Sequence, residues 1–179
     1  MLTVDALSDY TQGRLDADAD ETAEILERSL AEVRRWCGWH VTPVLTDQQI
    51  TLDGPGGRLL WLPSLRVVDL TAVTEDGVAL NVTELEWSHN GLVRKPITAP
   101  YWTEKFRGIT VTISHGYADA KDFEAAVFSV ADRKSQAPVG GSVISVGPFR
   151  WSDDRSVSGY SFTESELAVL RQYRLERRA

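Results

Sequence analysis

The chain has 179 residues, of which 42% are apolar and 25% charged, an ordinary composition for a soluble globular protein. A chain of this length buries roughly 70% of its unfolded surface and suits one domain, with or without an arm. Collagen-like, coiled-coil and wholly disordered chains are excluded. So is a generally basic nucleic-acid clamp, because 26 acidic side chains face 19 basic ones for a net charge of −7.

The first segment reads as a short helix over residues 3–13. Thr3 is its N-cap, Leu2 and Leu7 form a hydrophobic staple, and Gly13 stops it. A stronger helix spans 20–37. Asp18 and Asp20 sit at its positive end. Leu26, Leu30, Val33 and Cys37 form an apolar stripe, widened by Ile25 and Trp36, and Gly38 supplies the left-handed stop. The opposite face carries Glu24, Glu27, Arg28, Glu32, Arg34 and Arg35. That run is a solvated face, or in a ring or bundle a contact with a neighbour. Cys37 is the only cysteine. It permits no intrachain disulfide, fits a reducing cytoplasm and closes the stripe as a core residue.

From about 41 to 114 the period shortens and Pro and Gly punctuate the chain. Strand-like runs flank Gly54-Pro55-Gly56-Gly57, Asp76-Gly77 and Asn90-Gly91, each read as a hairpin turn; Asp-Gly and Asn-Gly suit two-residue loops. Ile109, Val111 and Ile113 alternate with Thr110, Thr112 and Ser114, the pattern of a half-buried strand. The expectation is an antiparallel β insertion. A third helix over 120–135 follows, capped by Asp119, with Phe123, Ala126, Val127, Val130 and Ala131 on its apolar face.

Residues 139–161 are rich in glycine and serine yet hold Phe149, Trp151 and Tyr160. They read as an extended arm whose aromatic side chains need a partner surface. A last helix opens with a capping box, Thr163 and Glu166, and a staple, Phe162 and Leu167. Leu167, Leu170 and Tyr173 share a face. So short a helix is marginal alone and must pack on its own core or on another subunit. The fold class is therefore α+β, a helical core with a β insertion, organised as residues 1–138 followed by an arm and helix over 139–179.

Charge is polarised along the chain. The first 35 residues carry nine acidic and four basic side chains, whereas Arg171, Arg174, Arg177 and Arg178 near the C-terminus face only Glu176. Such asymmetry suits contact between unlike surfaces. Of the six tryptophans, Trp36, Trp61 and Trp87 are read as core and Trp102 and Trp151 as interface anchors, while Trp39 flanks the end of the second helix.

Motifs that carry chemistry are missing. None of His40, His89 and His115 has a metal-spaced partner, and His115 reads as a turn or edge residue. No nucleophile elbow, P-loop or dinucleotide fingerprint occurs. The aspartates of 16–20 lack the glycine and distal glutamate of a calcium loop. The expectation is no enzyme, no cofactor and no metal. The opening MLTVDALSDY has no secretory n-region, and no run approaches the ~20 apolar residues of a membrane span; a soluble protein made in a cytoplasm is expected.

Seven segments in order carry a resemblance: RRWCGWHV (34–41), VVDLTAVTEDGVAL (67–80), LEWSHNGLVRK (85–95), GITVTISHGY (108–117), DFEAAVFSVADR (122–133), SVGPFRWSDD (145–154) and YSFTESELAVLRQYR (160–174). Together they resemble the head–tail connector adaptors of long-tailed bacteriophages, especially those infecting actinobacteria. The resemblance implies a structural subunit of the virion neck. Such adaptors form a ring, usually of twelve copies, under the portal, join it to a stopper or other tail-side neck protein, and continue a channel through which DNA passes without specific binding. It also implies docking on the portal through the C-terminal part. The candidate docking residues are Phe149, Trp151, Tyr160, Phe162, Leu167, Leu170, Arg171, Tyr173, Arg174 and Arg177. Candidates for subunit contact or the lumen are Glu24, Glu27, Arg28, Glu32 and Trp102. A stopper or tail-terminator subunit is the nearest alternative, and a carbohydrate-binding or hydrolase module using the tryptophans a more distant one.

Overall fold

The computed structural model describes residues 2–136, 143–146, 149–152 and 162–176. Helices and antiparallel sheets make an α+β fold that divides into two units. Residues 1–37 and 120–174 form a helical unit, and residues 38–119 with 175–179 form a β unit. The last helix thus belongs with the other helices, where the sequence reading set it apart in an arm.

The helical unit contains α1 (Val4–Tyr10), α2 (Asp20–Cys37), α3 (Lys121–Ser135) and α4 (Glu164–Leu170). Local chemistry fixes most of their ends. Thr3 Oγ1 accepts from Ala6 N at 3.2 Å to start α1. Asp20 and Glu21 lie in the first turn of α2 and Arg34 and Arg35 in the last, each charge opposing the helix dipole. Gly38 follows at φ +83°, the left-handed stop that glycine adopts without a Cβ penalty. Leu26, Val33 and Cys37 are buried on the α2 stripe, and Phe123, Ala126, Val127, Val130 and Ala131 on α3. Asp119 does not cap α3; the cap position is Ala120, without a side-chain bond. Asp122 instead accepts from Tyr173 and Gln172, each at 2.6 Å. In α4, Glu166 N donates to Thr163 Oγ1 and Thr163 N donates to the Glu166 carboxylate, the capping box expected. The backbone of β8 (Val143–Val146) pairs antiparallel with β9 (Phe149–Ser152).

The β unit is a two-layer sandwich. Its larger sheet has strand order β1-β7-β3-β4, with β1 at Leu45–Leu52, β7 at Ile109–His115, β3 at Val67–Glu75 and β4 at Val78–Leu80. Its smaller sheet has order β2-β6-β5, with β2 at Leu59–Trp61, β6 at Leu92–Arg94 and β5 at Glu86–Ser88. Ile109, Val111 and Ile113 of β7 point inward and are fully buried. They share one core with Val67, Leu70 and Val73 of β3, Leu60 of β2 and Val93 of β6. Each such side chain contributes roughly 1.5–3 kcal/mol on burial.

The three turns have different fates. Asp76-Gly77 takes φ +50° and +83° and joins β3 to β4 through Glu75↔Val78, the two-residue hairpin expected. At Asn90-Gly91 the register Ser88↔Leu92 leaves a three-residue loop instead. Gly91 alone takes positive φ there, and a Cβ on it would meet Ser64 O at 2.3 Å. Gly54-Pro55-Gly56-Gly57 is no hairpin. It carries the chain from one sheet to the other, because β1 pairs with β7 and β2 with β6. The turn is held by the 102–105 segment, with Gly54 N donating to Lys105 O and Gly56 N to Thr103 O.

Candidate interaction surfaces

The C-terminal residues expected to dock have different fates. Leu170 and Tyr173 are buried at 0% and 8% exposure inside the helical unit. Tyr173 lies edge-on to Phe123 at 5.4 Å. The apolar face of α4 is therefore spent on its own subunit, and these two residues are corrected from docking to core. Phe162 packs edge-on to Trp36 at 6.1 Å, Arg174 stacks over that indole at 4.9 Å, and Leu167 is half-buried. Arg171 and Arg174 remain exposed. Tyr160 and Arg177 lie outside the described residues. Phe149 and Trp151 are described only as β9 positions opposite Val146 and Ile144.

Glu166 explains why α4 stays put. Burial alone would raise its pKa, but donors from Arg133 at 2.6 Å, Thr163 N at 2.8 Å and Ser129 at 2.8 Å outweigh it and hold the carboxyl below its ordinary range. Among the α2 candidates, Glu24 pairs with Arg28 on the exposed face, Glu27 is exposed, and Glu32 pairs with Lys134 of α3. Glu32 thus serves an internal contact. Burial pushes the Cys37 thiol up to about 12 against the opposing charge of Arg174, which leaves it a core residue.

The tryptophan assignments change places in the β unit. Trp102 is 1% exposed, its indole N–H donates to Arg58 O at 3.1 Å, and Lys95 Nζ sits 4.4 Å from its ring centroid. It is a core anchor, not an interface residue. Trp61 is 40% exposed, because strand alternation turns Leu60 inward and Trp61 outward.

The segment around Trp102 is unusually well held. Lys95 is 4% exposed and pairs with Glu75 at 2.5 Å; Glu75 also accepts from Thr103 N at 2.7 Å. Arg58 donates to the carbonyls of Pro96, Ile97 and Ala99 and stacks over Tyr101 at 4.8 Å. Arg107 N donates to Asp53, and Asp76 N to Gly108 O. Yet the segment presents Ile97, Tyr101 and Phe106 at 84%, 62% and 87% exposure. Polar bonds thus fix the backbone of this segment while its apolar side chains stay in the open, the make-up that contact surfaces share. No periodicity in the sequence signals these residues; only the density of Pro and Gly around them hints at a loop.

The outer faces of the sandwich contrast. On the larger sheet the register aligns Thr51, Thr110 and Thr74 in one row and Gln49, Thr112 and Ala72 in the next. On the smaller sheet Leu59 and Trp61 stand outward beside the Arg94–Glu86 pair.

His115, at the end of β7, is 3% exposed rather than an edge residue. Its Nε2 lies 2.5 Å from Gln48 Oε1, its ring is 4.4 Å from that of His40, and its Nδ1 has no hydrogen-bond partner. Burial, then the nearby His40 charge, lowers its pKa to about 4. Among the described residues no group of three or more His, Cys, Asp or Glu gathers as a metal site, and no helix is long and apolar enough to cross a membrane.

No protein-family model matches the chain, and no curated protein does. Solved structures do. A chain in the neck of an empty gene transfer agent (GTA) particle, computed with C6 symmetry, superposes with a TM-score of 0.62 at 18% identity, over 98% of this chain and 90% of that one. A chain in the neck of the native particle, computed with C12 symmetry, gives 0.59 at 15% identity, over 100% and 94%. A chain of the native GTA virion gives 0.60 at 15%, over 98% and 90%. The chain has the fold of these neck chains. The likeness spans both units.

Proposed function

We propose that this chain is a non-enzymatic structural subunit of a phage-type virion neck, a head-to-tail adaptor that forms a ring beneath the portal and continues the DNA channel toward a stopper or other tail-side protein. The observation that carries the reading is the likeness over 98–100% of the chain to chains from necks computed with C6 and C12 symmetry. A ring of one repeated contact needs two complementary patches per copy. The actinobacteriophage type suggested by the sequence belongs to the same proposal. An acidic subunit suits a conduit, because basic walls would hold DNA through counterion release; Glu24, Glu27 and Arg28 on the open face of α2 are the candidates to meet the lumen or a neighbour.

Portal docking falls to the 139–161 segment with Phe149, Trp151 and Tyr160, together with Arg171, Arg174 and Arg177, while Leu170 and Tyr173 hold α4 in place behind them. The test is binding of purified portal to the full chain and to Phe149→Ala with Trp151→Ala. Weakened binding at an unchanged melting temperature supports docking by the arm. Unchanged binding removes the arm from the proposal, and a large fall in melting temperature assigns both side chains to the subunit's own core.

A further inference from the structure

The main run of the β unit begins at Gly38 and ends at Asp119, and the segments at its entry and exit lie directly on each other. Tyr117 N donates to Val41 O at 2.8 Å. The Trp39 ring is 5.9 Å from that of Tyr117 and stacks on His115 at 6.4 Å, and the His40 and His115 rings meet edge-on at 4.4 Å. Between them Gly116 takes φ +117°, and a Cβ there would fall 2.5 Å from Pro43 O and 2.6 Å from His40 Nε2. Only glycine allows so close an approach. The entering segment is also strained. Thr42 N donates to His40 O at 2.9 Å across Val41, whose φ is +63°. A β-branched side chain in the left-handed region is an outlier, yet Val41 is fully buried. Such conformations persist only where the surroundings over-determine them, and they gather at switches.

His115 sits at the centre of this contact. Gln48 Oε1 can only accept, so His115 Nε2 carries the imidazole proton and donates to it. The lone pair is therefore on Nδ1, which is buried and has no hydrogen-bond partner. A second proton has to go there. It would create a buried donor with no acceptor and a positive charge beside His40, both of which are costly. No carboxylate offsets that charge. From the entering segment the group facing His115 is His40, which itself lies 2.9 Å from Pro43 O. From the exit it is the Tyr117 phenol, across Trp39. On the β3 side Arg66 is exposed and gives its carbonyl to Gly116 N. Asp47 and Asp69, on the flanking strands, lie beside Ser114, which alternates to the opposite face of the sheet from His115.

We propose that Trp39, His40, His115 and Tyr117 form a proton-sensitive clasp on the entry and exit of the β unit: it is closed while His115 is neutral, and protonation at Nδ1 expels the ring and frees residues 39–43 together with 115–117. Strain at Val41 favours the opening, because the freed turn can return to ordinary backbone angles. The closed clasp resists the proton, which holds His115 at about 4 against its ordinary 6.5; by linkage the proton favours the open clasp. Above about 6.5 acid gives no help. Below it the open population grows about tenfold per pH unit, until the closed form also takes the proton near 4. The clasp belongs to the folded chain alone, goes beyond the neck reading and does not depend on it.

Hydrogen exchange of the full chain, resolved by amide in NMR spectra between about pH 7.5 and about pH 4.5, tests this. Each rate is divided by the rate of an unstructured amide at the same pH. The protection of Thr42, Gly116 and Tyr117, whose amides are bonded in the closed clasp, is expected to fall together by about tenfold per unit below about 6.5. Amides of α2 and β3 are expected to keep theirs. His115→Gln offers a polar contact to Gln48 without a titrating nitrogen and is expected to abolish the slope. Flat protection in the native chain, an equal slope in His115→Gln, or simultaneous loss throughout the chain would overturn the clasp. Should His115→Gln fail to fold, the imidazole ¹⁵N shifts of the native chain decide. Proton uptake at Nδ1 in step with the opening of the three amides supports the clasp, and uptake without opening overturns it.

Discussion

The helical unit and the β unit both bury a continuous core, but they treat their remaining apolar side chains differently. Of the eight large apolar residues exposed among the described ones, Tyr10 alone lies in the helical unit, and its ring still packs 5.7 Å from Phe128. The other seven lie in the β unit. The helical unit satisfies itself, down to the buried carboxylate of Glu166 that bonds to Ser129 and Arg133 and caps its own helix. The β unit uses buried polar bonds to the opposite end, fixing a loop so that Ile97, Tyr101 and Phe106 remain outside. A chain divided in this way has one part that closes on itself and another that leaves apolar surface exposed.

The contrast can be broken most severely by ending the chain after Ala137. Leu170 and Tyr173 would leave the helical core, with an expected loss of more than about 5 kcal/mol and loss of hydrogen-exchange protection in α3. A truncated chain that melts like the full one would show that α4 is dispensable to the helical unit. Next in size is Lys95→Ala, which strands Glu75 beside Trp102 and should cost about 3–5 kcal/mol in urea unfolding. Restoration of much of that loss by Glu75→Leu in the same chain would identify the pair as the cause, and a cost under about 1 kcal/mol would show that the loop needs no such pin.

Acid should act more gradually. His115 is held at about 4 in the folded chain against an ordinary 6.5. As pH falls, the unfolded chain takes up this proton first, so the contribution is complete above about 6.5 and is lost between there and about 4. His115→Gln should flatten that part of the stability curve, and an unaltered slope would assign the acid sensitivity to other groups. The smallest effect is the most pointed one. Ile97→Ser and Phe106→Ser should leave the stability of the isolated chain within about 0.5 kcal/mol, because those side chains touch solvent. A large loss in thermal melts would mean that they serve their own fold.

Helix ends were legible because capping is local. Thr3, Gly38 and the Thr163–Glu166 box each act within a few residues, and α2 occupies Asp20–Cys37, the span its stripe predicts. The threonine alternation of β7 was legible for the same reason. Strand pairing was not. The partner of β1 is β7, far along the chain, and nothing near Gly54 distinguishes a hairpin from a crossing between sheets. Trp102 shows the same limit, since a loop tryptophan becomes core only when Arg58 and Lys95 arrive from other segments. The outer face of the larger sheet was half visible: a strand reading Thr-Val-Thr-Ile-Ser is plain in sequence, but the alignment of Thr51, Thr110 and Thr74 exists only in the folded sheet. Asp119 failed as a cap by one position, and α4 could be seen to need a partner without any sign that α3 supplies it.

The central claim, that this chain works by repeating itself around a virion neck, is tested most directly by a reconstruction of the neck of particles that carry it. The expected map shows a closed ring of copies beside the portal. A neck complete without this chain, or holding it as a single copy, would contradict the account.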